Sequence, residues 1–341
     1  MSPRRVAIIG VGKRVREAVL PAFRALEDLF EVRSLHARSS REIEAAGRAW
    51  PVAPLSALST LDDVDLIYLA VGKDAVPSVL GELASFERSA TDILIDTPVV
   101  RFKHFRHMDK LQGYSHAWVP EDCAYLPWLP PLWRAADSGA LGNVENATLF
   151  RSGYAYHGLA TIKAMLKATG IRRGRRRRRP DGLLERRLGL TVSASGQIVE
   201  PRDYSKGYIS LEGSSATATD RAEHSATSLP MLPVFAAGAL TAIRVGDELE
   251  NLDDAERSLT LGLPTDATLT AGQEAMKRIG LLRLLRDVHA GRGGYPLAAA
   301  VDDMVIDYHL EKLGRYIATP ITDPRSPLAR AALRAISRFG G

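Results

Sequence analysis

The chain has 341 residues, of which 45% are hydrophobic and 25% are charged, and its formal net charge is +5. This length favours two domains over one core, and no uninterrupted apolar segment is long enough to span a bilayer. The single cysteine, Cys123, excludes an intramolecular disulfide and a zinc site built from cysteines.

The first predicted element is a strand over residues 6–9, an apolar run typical of a parallel strand buried on both faces. Gly10 and Gly12 follow, and a helix is expected through residue 26. This order is typical of a dinucleotide cradle, in which Gly10 makes the tight turn and Gly12 admits a pyrophosphate at the helix N-terminus. Val15 replaces the usual third glycine or alanine and predicts a slightly displaced helix. Because the strand starts so early, we expect no signal peptide and a cytoplasmic protein.

Further strands are predicted at 30–36, 64–71 and 93–95, with helical periodicity at 40–50 and 75–86 between them. The alternation of strand and helix predicts right-handed crossovers and a parallel sheet. A helical region over 99–112 and a last strand around 114–119 complete a dinucleotide-binding Rossmann domain, to which we assign residues 1–120.

Residues 121–341 are assigned to a second domain. The segment 125–133, rich in proline and aromatic side chains, is interpreted as a rigid crossover, and the alternative is a substrate wall of tryptophans. A helix towards residue 136 is predicted to follow, and the later pattern predicts strands at 143–152, 188–193, 207–212 and 215–219 and helices at 157–167, 270–290 and 298–313. The fold class is therefore α/β, with an N-terminal Rossmann parallel sheet and a C-terminal α+β domain that carries an open, mainly antiparallel sheet.

Several motifs of this chain form a recognisable combination. They are the segment 6–12, the run 61–65 before its strand, the strand end Asp96-Thr97-Pro98, Tyr125 and Pro127 as an aromatic-x-proline pattern, the helix end 136–142, and the C-terminal pattern 295–310. Together these motifs resemble the Gfo/Idh/MocA family, which includes glucose-fructose oxidoreductase and inositol dehydrogenase. The resemblance implies hydride exchange between a nicotinamide cofactor and a carbonyl, alcohol or imine carbon of a small polar substrate. It also implies a homo-oligomer, a dimer or tetramer, formed through the second sheet.

The chain departs from this family at the residue that usually assists proton transfer. The family usually has Glu-Lys-Pro at the fourth strand end, with the lysine bonded to the reacting oxygen, whereas this chain has Asp96, Thr97 and Pro98. The Thr97 hydroxyl can contact nicotinamide or substrate. Its pKa is far too high for it to lose its proton and act as a general base at neutral pH, and it cannot stabilise an alkoxide as a cation does. Val71-Gly72 likewise stands where the family has Thr-Pro.

His157 is the remaining candidate for proton transfer, because the resemblance places it at the start of a helix beneath the nicotinamide. The alternative is a histidine that caps its helix or lies in a hydrogen-bonded core. Tyr154 and Tyr156 flank it with further donors, and Lys163 has a supporting role at most. The other candidate substrate contacts are Glu121, Tyr125 and Trp128, although Glu121 and Asp122 are more simply interpreted as solvated loop charges.

The segment after the second strand predicts a preference for NADP(H) over NAD(H). Residues 36–41 read His-Ala-Arg-Ser-Ser-Arg and offer no acid to accept bonds from the ribose hydroxyls. Arg38 is expected to bind the 2′-phosphate, with Ser39 and Ser40 adding donors at a helix start and Arg14 approaching from the other side. The alternative is that Arg38 and Arg41 are ordinary solvated charges. The other predicted cofactor contacts are Gly10, Gly12, Lys13, Val15, Ala70, Val71, Gly72, Asp96, Thr97 and Pro98.

A dense basic block comprises Arg172, Arg173 and Arg175–Arg179. We interpret it as a solvated, mobile loop, because no aromatic residues are interleaved to stack on bases. The alternatives are a landing site for nucleic acid or an acidic partner, or a position near an anionic substrate. Nucleic acid is therefore not an expected partner. No metal site is predicted, because the scattered histidines at 104, 107 and 116 lack a credible set of further ligands.

Two functions are compatible with these residues. The first is an NADP(H)-dependent oxidoreductase whose proton-transfer group is not the usual lysine. The second is a cofactor-binding protein that has lost its chemistry and acts as a sensor or structural partner. Loss of the lysine favours the second, whereas His157, its neighbouring tyrosines and a full-length second domain favour the first, which we predict.

Overall fold

The structure, a computed structural model, describes residues 2–60, 63–84, 89–97, 99, 102–151, 155–200, 202–221 and 225–318. By their contacts the described residues form two compact units, the first comprising residues 2–121 and 281–302 and the second 122–280 and 303–318. The division into 1–120 and 121–341 therefore needs a correction, since 281–302 packs with the first unit. None of the helices described here is both long and apolar enough to cross a membrane.

The elements up to residue 121 alternate between strands and helices. They are β1 (Arg4–Ile9), a π-helical turn (Val15–Val19) that continues into α1 (Leu20–Ala25), β2 (Phe30–Ala37), β3 (Arg41–Ala45), β4 (Arg48–Pro54), a 3₁₀ helix (Leu55–Thr60), β5 (Leu66–Leu69), α2 (Val76–Leu83), β6 (Asp92–Ile95), a 3₁₀ helix (Phe102–Gly113) and β7 (Ala117–Val119).

The elements from residue 122 onwards are mostly strands. They are a 3₁₀ turn (Asp122–Ala124), α3 (Leu129–Asp137), β8 (Val144–Phe150), α4 (Ala155–Met165), β9 (Ile171–Arg178), β10 (Leu184–Leu190), β11 (Ser195–Glu200), a 3₁₀ turn (Tyr204–Lys206), β12 (Tyr208–Gly213), β13 (Thr217–Thr219), β14 (Ser228–Ala236), β15 (Ala239–Val245), β16 (Glu248–Asn251), α5 (Asp254–Ser258), α6 (Gln273–His289), β17 (Tyr295–Pro296), α7 (Leu297–Leu313) and β18 (Arg315–Ile317).

The sheet of the first unit has the strand order β17-β7-β6-β5-β1-β2-β4-β3 among the described residues. Its central strands, from β7 to β4, are parallel, and the two outermost strands are antiparallel to their neighbours. The apolar runs at 6–9, 66–69 and 93–95 are completely or almost completely buried, as a sheet covered on both faces requires. The predicted Rossmann sheet is confirmed, and the carboxyl ends of β6, β5, β1 and β2 lie along one edge.

The helix predicted over residues 40–50 is wrong, because this segment forms a hairpin of β3 and β4. Ala46 and Gly47 both have positive φ, 50° and 73°, which is the conformation of a two-residue type I′ hairpin turn. The indole of Trp50 is buried and donates to the Ala45 carbonyl at 2.9 Å. Exposed charged side chains recur along the hairpin, and in the sequence alone their recurrence resembles the polar face of a helix.

The helix predicted after β1 is confirmed, but it begins with a π-helical turn in which Leu20 N–H donates to the Val15 carbonyl. Val15 is buried at the start of this turn. Pro21 has no N–H and so cannot donate to the carbonyl four residues before it, which favours a local departure from α-helical bonding.

The sheet of the second unit has the order β16-β15-β14-β13-β12-β8-β11-β10-β9-β18 among the described residues. Only two of its pairs are parallel, β8 with β11 and β13 with β14, so the predicted mainly antiparallel sheet is confirmed. The stripe on α4, which includes Leu159, Ile162 and Met165, packs into the core of this unit against β8, β11 and α3.

The arginine block is not a mobile loop, because Arg172, Arg173 and Arg175–Arg178 all lie in β9. This strand pairs with β10 on one side and with β18 on the other. Carboxylates of neighbouring elements pair with some of its guanidinium groups, and this pairing lets so basic a run enter a sheet. One of these acids, Glu311, is far along the chain, and the other, Glu185, becomes a partner only when β9 pairs with β10.

Candidate functional site

Gly10 is the point where β1 turns at the edge of the first sheet. It has a φ of 103°, and a Cβ built there would lie 2.0 Å from the Ala70 carbonyl oxygen at the end of β5. Its N–H donates to the His36 carbonyl at the end of β2, at 2.7 Å. Only glycine tolerates both the positive φ and the close approach of the Ala70 carbonyl, so this residue makes the tight turn between the three strand ends possible.

Gly12 leaves open space in front of the following helix. No described atom lies within 4 Å of a Cβ built there. The first turn of a helix has N–H groups without intrahelical partners, and these groups favour an anion. Lys13 is exposed beside this turn, and its Nζ lies 3.8 Å from Glu17 Oε2. These residues fit the pyrophosphate of a dinucleotide.

Arg14 lies on the β6 side of the turn rather than near Arg38. Its Nε donates to Asp96 Oδ1 at 3.0 Å, and the guanidinium also reaches the Pro120 carbonyl at 3.4 Å. Because β2 lies on the other side of β1 in the sheet, the expected approach of Arg14 to a 2′-phosphate does not agree with this position. Arg14 instead ties the start of the helix to the end of β6.

Arg38, Ser39 and Ser40 follow β2 directly and are exposed. The two serines precede a strand and not a helix, so the expected contribution of a helix N-terminus to phosphate binding is absent at this point. The guanidinium of Arg38 and the two hydroxyls remain as donors at the strand end where an adenosine ribose binds in Rossmann sheets.

The ends of β5 and β6 supply the other predicted cofactor contacts. Ala70 and Val71 are half-buried and Gly72 is exposed, directly after β5. Asp96 and Thr97 directly follow β6, both half-buried, and Asp96 N–H extends the sheet by donating to the Leu69 carbonyl at 2.8 Å. Pro98 lies outside the described residues.

His157 lies near the start of α4 in the second unit and is 9% exposed. Its ring stacks at an angle on Tyr156, with centroids 4.2 Å apart. Its carbonyl accepts from Thr161 Oγ1 at 2.8 Å, and the same hydroxyl lies 3.3 Å from the Cys123 carbonyl. The helix therefore fixes the backbone of His157, as the predicted helix over 157–167 requires.

A small cavity of about 20 Å³ borders His157. This volume admits about one water molecule and is too small for a sugar or a cyclic imine. Its polar lining includes residues that the sequence did not single out: Thr161, Tyr204, Thr270, Gln273 and Lys277. Trp128 also lines it and is completely buried, so it is part of the core as well as a cavity wall.

Tyr204 adds a hydroxyl to this cavity. Burial raises the pKa of Tyr204 to about 12, so the phenol keeps its proton at neutral pH and can donate a hydrogen bond. Gln273 and Lys277 are four residues apart at the start of α6. That spacing, which puts both side chains on one face of the helix, is the signal in the sequence that points to this wall.

The other predicted substrate contacts have different surroundings. Glu121 and Asp122 are 3% and 1% exposed, so their interpretation as solvated loop charges is wrong. Lys163 is buried and its ammonium lies 2.6 Å from the Asp303 carboxylate of α7. Tyr125 is half-buried beside the 3₁₀ turn, and Tyr154 lies outside the described residues.

Asp122, Cys123 and His157 bring a carboxylate, a thiol and an imidazole together. Their potential ligand atoms lie within 4.8 Å of one another, and all three residues are buried. Such a donor set is chemically able to hold a divalent cation. The expectation of no metal stays a prediction.

No family model and no curated protein sequence matches this chain. Solved structures do match it over nearly their whole length. An oxidoreductase from Agrobacterium radiobacter, in complex with NAD+, L-tartaric acid and magnesium, has a TM-score of 0.59 at 12% identity over 92% of this chain and 98% of its own. An apo scyllo-inositol dehydrogenase from Lactobacillus casei has a TM-score of 0.60 at 8% identity over 93% and 98%.

A super-repressor mutant of Gal80p from Saccharomyces cerevisiae has a TM-score of 0.62 at 11% identity over 94% of this chain and 99% of its own. The chain has the fold of these proteins. Identities this low show the fold alone, and they confirm the architecture that the resemblance to the Gfo/Idh/MocA family implied. Proteins of this fold are described as an oxidoreductase, an inositol dehydrogenase and a super-repressor mutant of Gal80p.

Proposed function

We propose that the protein is an NADP(H)-dependent oxidoreductase that exchanges hydride with a carbonyl, alcohol or imine carbon of a small polar substrate. The observation that carries this proposal is the turn at Gly10, where three strand ends converge and only glycine fits. Such an edge binds dinucleotides in Rossmann sheets. The similarity in fold to an oxidoreductase in complex with NAD+ supports it.

NADP(H) is proposed over NAD(H) because Arg38 is the exposed charged group directly after β2, and no acid lies between residues 36 and 41. A carboxylate at this position would accept bonds from both ribose hydroxyls and repel a 2′-phosphate. A guanidinium instead offers two parallel donors to a phosphate. Ser39 and Ser40 add hydroxyl donors beside it.

The bound nicotinamide would supply or accept the hydride, and the chain's own residues would handle the proton and the orientation of the substrate. We assign proton exchange to His157, assisted by Tyr156 and by the protonated phenol of Tyr204. Thr97 is assigned a contact role without proton transfer. Assembly into a homo-oligomer through the second sheet remains part of the proposal.

A catalytically inactive cofactor-binding sensor or regulatory protein is the second candidate. Thr97 stands where the family resemblance implies a lysine, and a protein of the same fold is described as a super-repressor mutant of Gal80p. This candidate shares the nucleotide-binding edge and differs in having no turnover, so cofactor affinity and turnover have to be measured separately.

Fluorescence titration with NADPH and NADH tests the cofactor assignment. We expect wild type to bind NADPH more tightly, and Arg38→Ala to weaken NADPH binding by about tenfold or more while NADH binding is unchanged, because a bond to a charged group contributes about 1.5–3 kcal/mol. Arg33→Ala is the matched control, since Arg33 is an exposed arginine of the same strand that pairs with Glu31.

The variant Arg14→Ala distinguishes loss of the contact that positions the helix start from loss of a contact to the 2′-phosphate. Because Arg14 holds Asp96 rather than the β2 end, its loss should weaken both dinucleotides by the same factor. A preference of wild type for NADH, or an Arg38→Ala variant that binds NADPH as tightly as wild type, contradicts the assignment to NADP(H).

A further inference from the structure

The solvent-facing side of β10, β9 and β18 carries a cluster of arginines. Arg175 on β9 is directly opposite Arg187 on β10 and directly opposite Arg315 on β18. Arg173 lies two residues along β9, on the same face of the strand. These four side chains line a groove of about 910 Å³ in the second unit.

The two faces of this part of the sheet differ in how their arginines are compensated. On the opposite face, Arg186 is almost completely buried and pairs with Glu200, Asp307 and Glu311. Arg176 also pairs with Glu311, at 3.3 Å. These acids neutralise Arg186 and Arg176, whereas Arg172 and Arg178, near the ends of β9, donate to the Thr191 and Gly182 carbonyls.

On the groove face the acids are fewer. Glu185 is buried and holds Arg177 at 2.6 Å and Arg187 at 3.0 Å. Within the described ranges, no acidic side chain forms an ion pair with Arg173, Arg175 or Arg315, and all three are exposed. On this face these three residues are the arginines that no carboxylate of the described residues meets, while the single carboxylate of Glu185 is shared by Arg177 and Arg187 on the β10 side.

This arrangement opposes folding rather than aiding it. Like charges directly opposite each other on neighbouring strands are destabilising, and Arg175 has such a neighbour on both sides. The side chain of Arg173 lies over Gly189, where a Cβ would be 3.0 Å from its Cγ. The absence of a side chain at Gly189 thus leaves room for the guanidinium to lie across the groove.

We infer that this groove is a binding site for a compact anion with several phosphate groups. Neighbouring strands are about 4.8 Å apart and alternate residues about 6.7 Å, so the three uncompensated guanidinium groups can converge on adjacent phosphates of one ligand. Guanidinium matches phosphate through paired, charge-assisted bonds. The volume is within the range of small-molecule sites.

The chemistry of the groove favours such a ligand over a nucleic acid. Among the described residues that line the groove, the one aromatic residue is Tyr316. It is 4% exposed and presents no ring for a base to stack on. The unpaired arginines of this face also lie within one groove, whereas a polymer requires a basic track that continues. The described residues that line this groove all belong to the second unit.

Calorimetric titration of the full chain with sodium tripolyphosphate tests this site. We expect saturable binding with about one equivalent, and a loss of at least about tenfold in affinity in the double variant Arg173→Gln/Arg175→Gln. The matched control is Arg172→Gln/Arg178→Gln, which removes the same charge from the same strand but from outside the groove. The control should bind within about twofold of wild type.

An equal loss in both double variants would show nonspecific charge attraction and overturn the proposal. So would an absence of tripolyphosphate binding, or a preference for duplex DNA or for vesicles containing phosphatidylserine that tripolyphosphate does not displace. The single variant Arg315→Gln, on the edge strand, repeats the test independently and should also weaken binding. Circular dichroism and thermal melting check that each variant is folded. A variant that removes like-charge repulsion should have a melting temperature no lower than that of wild type.

Discussion

In the proposed reaction, proton transfer depends on single residues of the second unit, because Thr97 supplies no cation. The ammonium of Lys163 is engaged with Asp303, and breaking a buried ion pair is costly. Tyr204 keeps its proton, since burial raises its pKa to about 12. Imidazole is the side chain suited to exchange a proton near neutral pH, which leaves His157 as the group to test.

Replacement of His157 by alanine should lower turnover without affecting cofactor binding. We expect a loss of about 10²–10⁴-fold in kcat, the usual effect of removing a general acid or base. The dissociation constant for NADPH should remain within about twofold, because the nucleotide-binding edge belongs to the first unit. Steady-state kinetics, with an alcohol, carbonyl or imine found by screening against NADP(H), measure the first quantity and fluorescence titration the second.

His309→Ala is the matched control for this experiment, since His309 is a partly buried histidine of α7 that does not line the cavity. Its turnover should equal that of wild type. Unchanged turnover in a folded His157→Ala variant would return His157 to a structural role. A wild-type chain that binds NADPH but turns over none of the screened compounds would favour the sensor.

At the scale of elements, the sequence was most informative where burial alone decides conformation. Apolar runs predicted β1, β5 and β6, and Gly10 and Gly12 predicted the turn that follows β1. The hairpin of β3 and β4 depends on a positive φ at Ala46, and a pattern of polar and apolar residues does not predict that backbone conformation. The strand β9 depends on two acids, Glu185 and Glu311, that only the folded sheet and α7 bring to its arginines. For the same reason Tyr204 and Lys277 were missed, because only tertiary folding brings them to His157.

Asp220 joins three elements of the second unit. Its carboxylate, 4% exposed, accepts from Ile209 N–H of β12 at 2.6 Å, and from the N–H and Oγ1 of Thr270 at 2.8 and 2.6 Å. Asp220 follows β13, and Thr270 precedes α6 and lines the His157 cavity. The position of that cavity wall therefore depends on one buried carboxylate.

Loss of this carboxylate should destabilise the fold strongly. Asp220→Ala leaves three buried donors without their acceptor, and we expect a decrease of about 2–4 kcal/mol in the free energy of unfolding, measured with urea at pH 7. Asp247→Ala, at an exposed aspartate, is the control and should change it by less than about 0.5 kcal/mol. A similar change in both variants would contradict the role assigned to Asp220.

The same carboxylate predicts a pH dependence. Burial raises the pKa of Asp220 above its usual 3.8, so the folded state takes up this proton at a higher pH than the unfolded state does. The stability of wild type should therefore rise relative to Asp220→Asn as the pH falls from 7 towards 3.8. Urea unfolding of both proteins across this range measures the difference, and parallel curves would contradict the raised pKa.

At the scale of the whole molecule, the first unit is assembled from two distant segments of the chain. Tyr295 of β17 pairs with Val119 of β7, and the Val288 carbonyl accepts from Arg4 at 3.3 Å. The rings of Phe30 and His289 lie 5.5 Å apart, edge to face. A Rossmann half defined from the N-terminal sequence alone therefore lacks an edge strand and part of its core.

A fragment of residues 1–121 should consequently fail to fold, although the sequence alone marks it as a complete domain. Without residues 281–302 the outer edge of β7 is unpaired, and the surfaces of Arg4 and Phe30 that meet α6 are exposed. We expect no cooperative thermal transition for this fragment by circular dichroism, and we expect a fusion of 1–121 to 281–302 through a flexible linker to regain one. A fusion of equal length with the 281–302 segment scrambled is the matched control. Cooperative unfolding of 1–121 alone, at the midpoint of the fusion, would show that the second segment adds nothing to the stability of the unit.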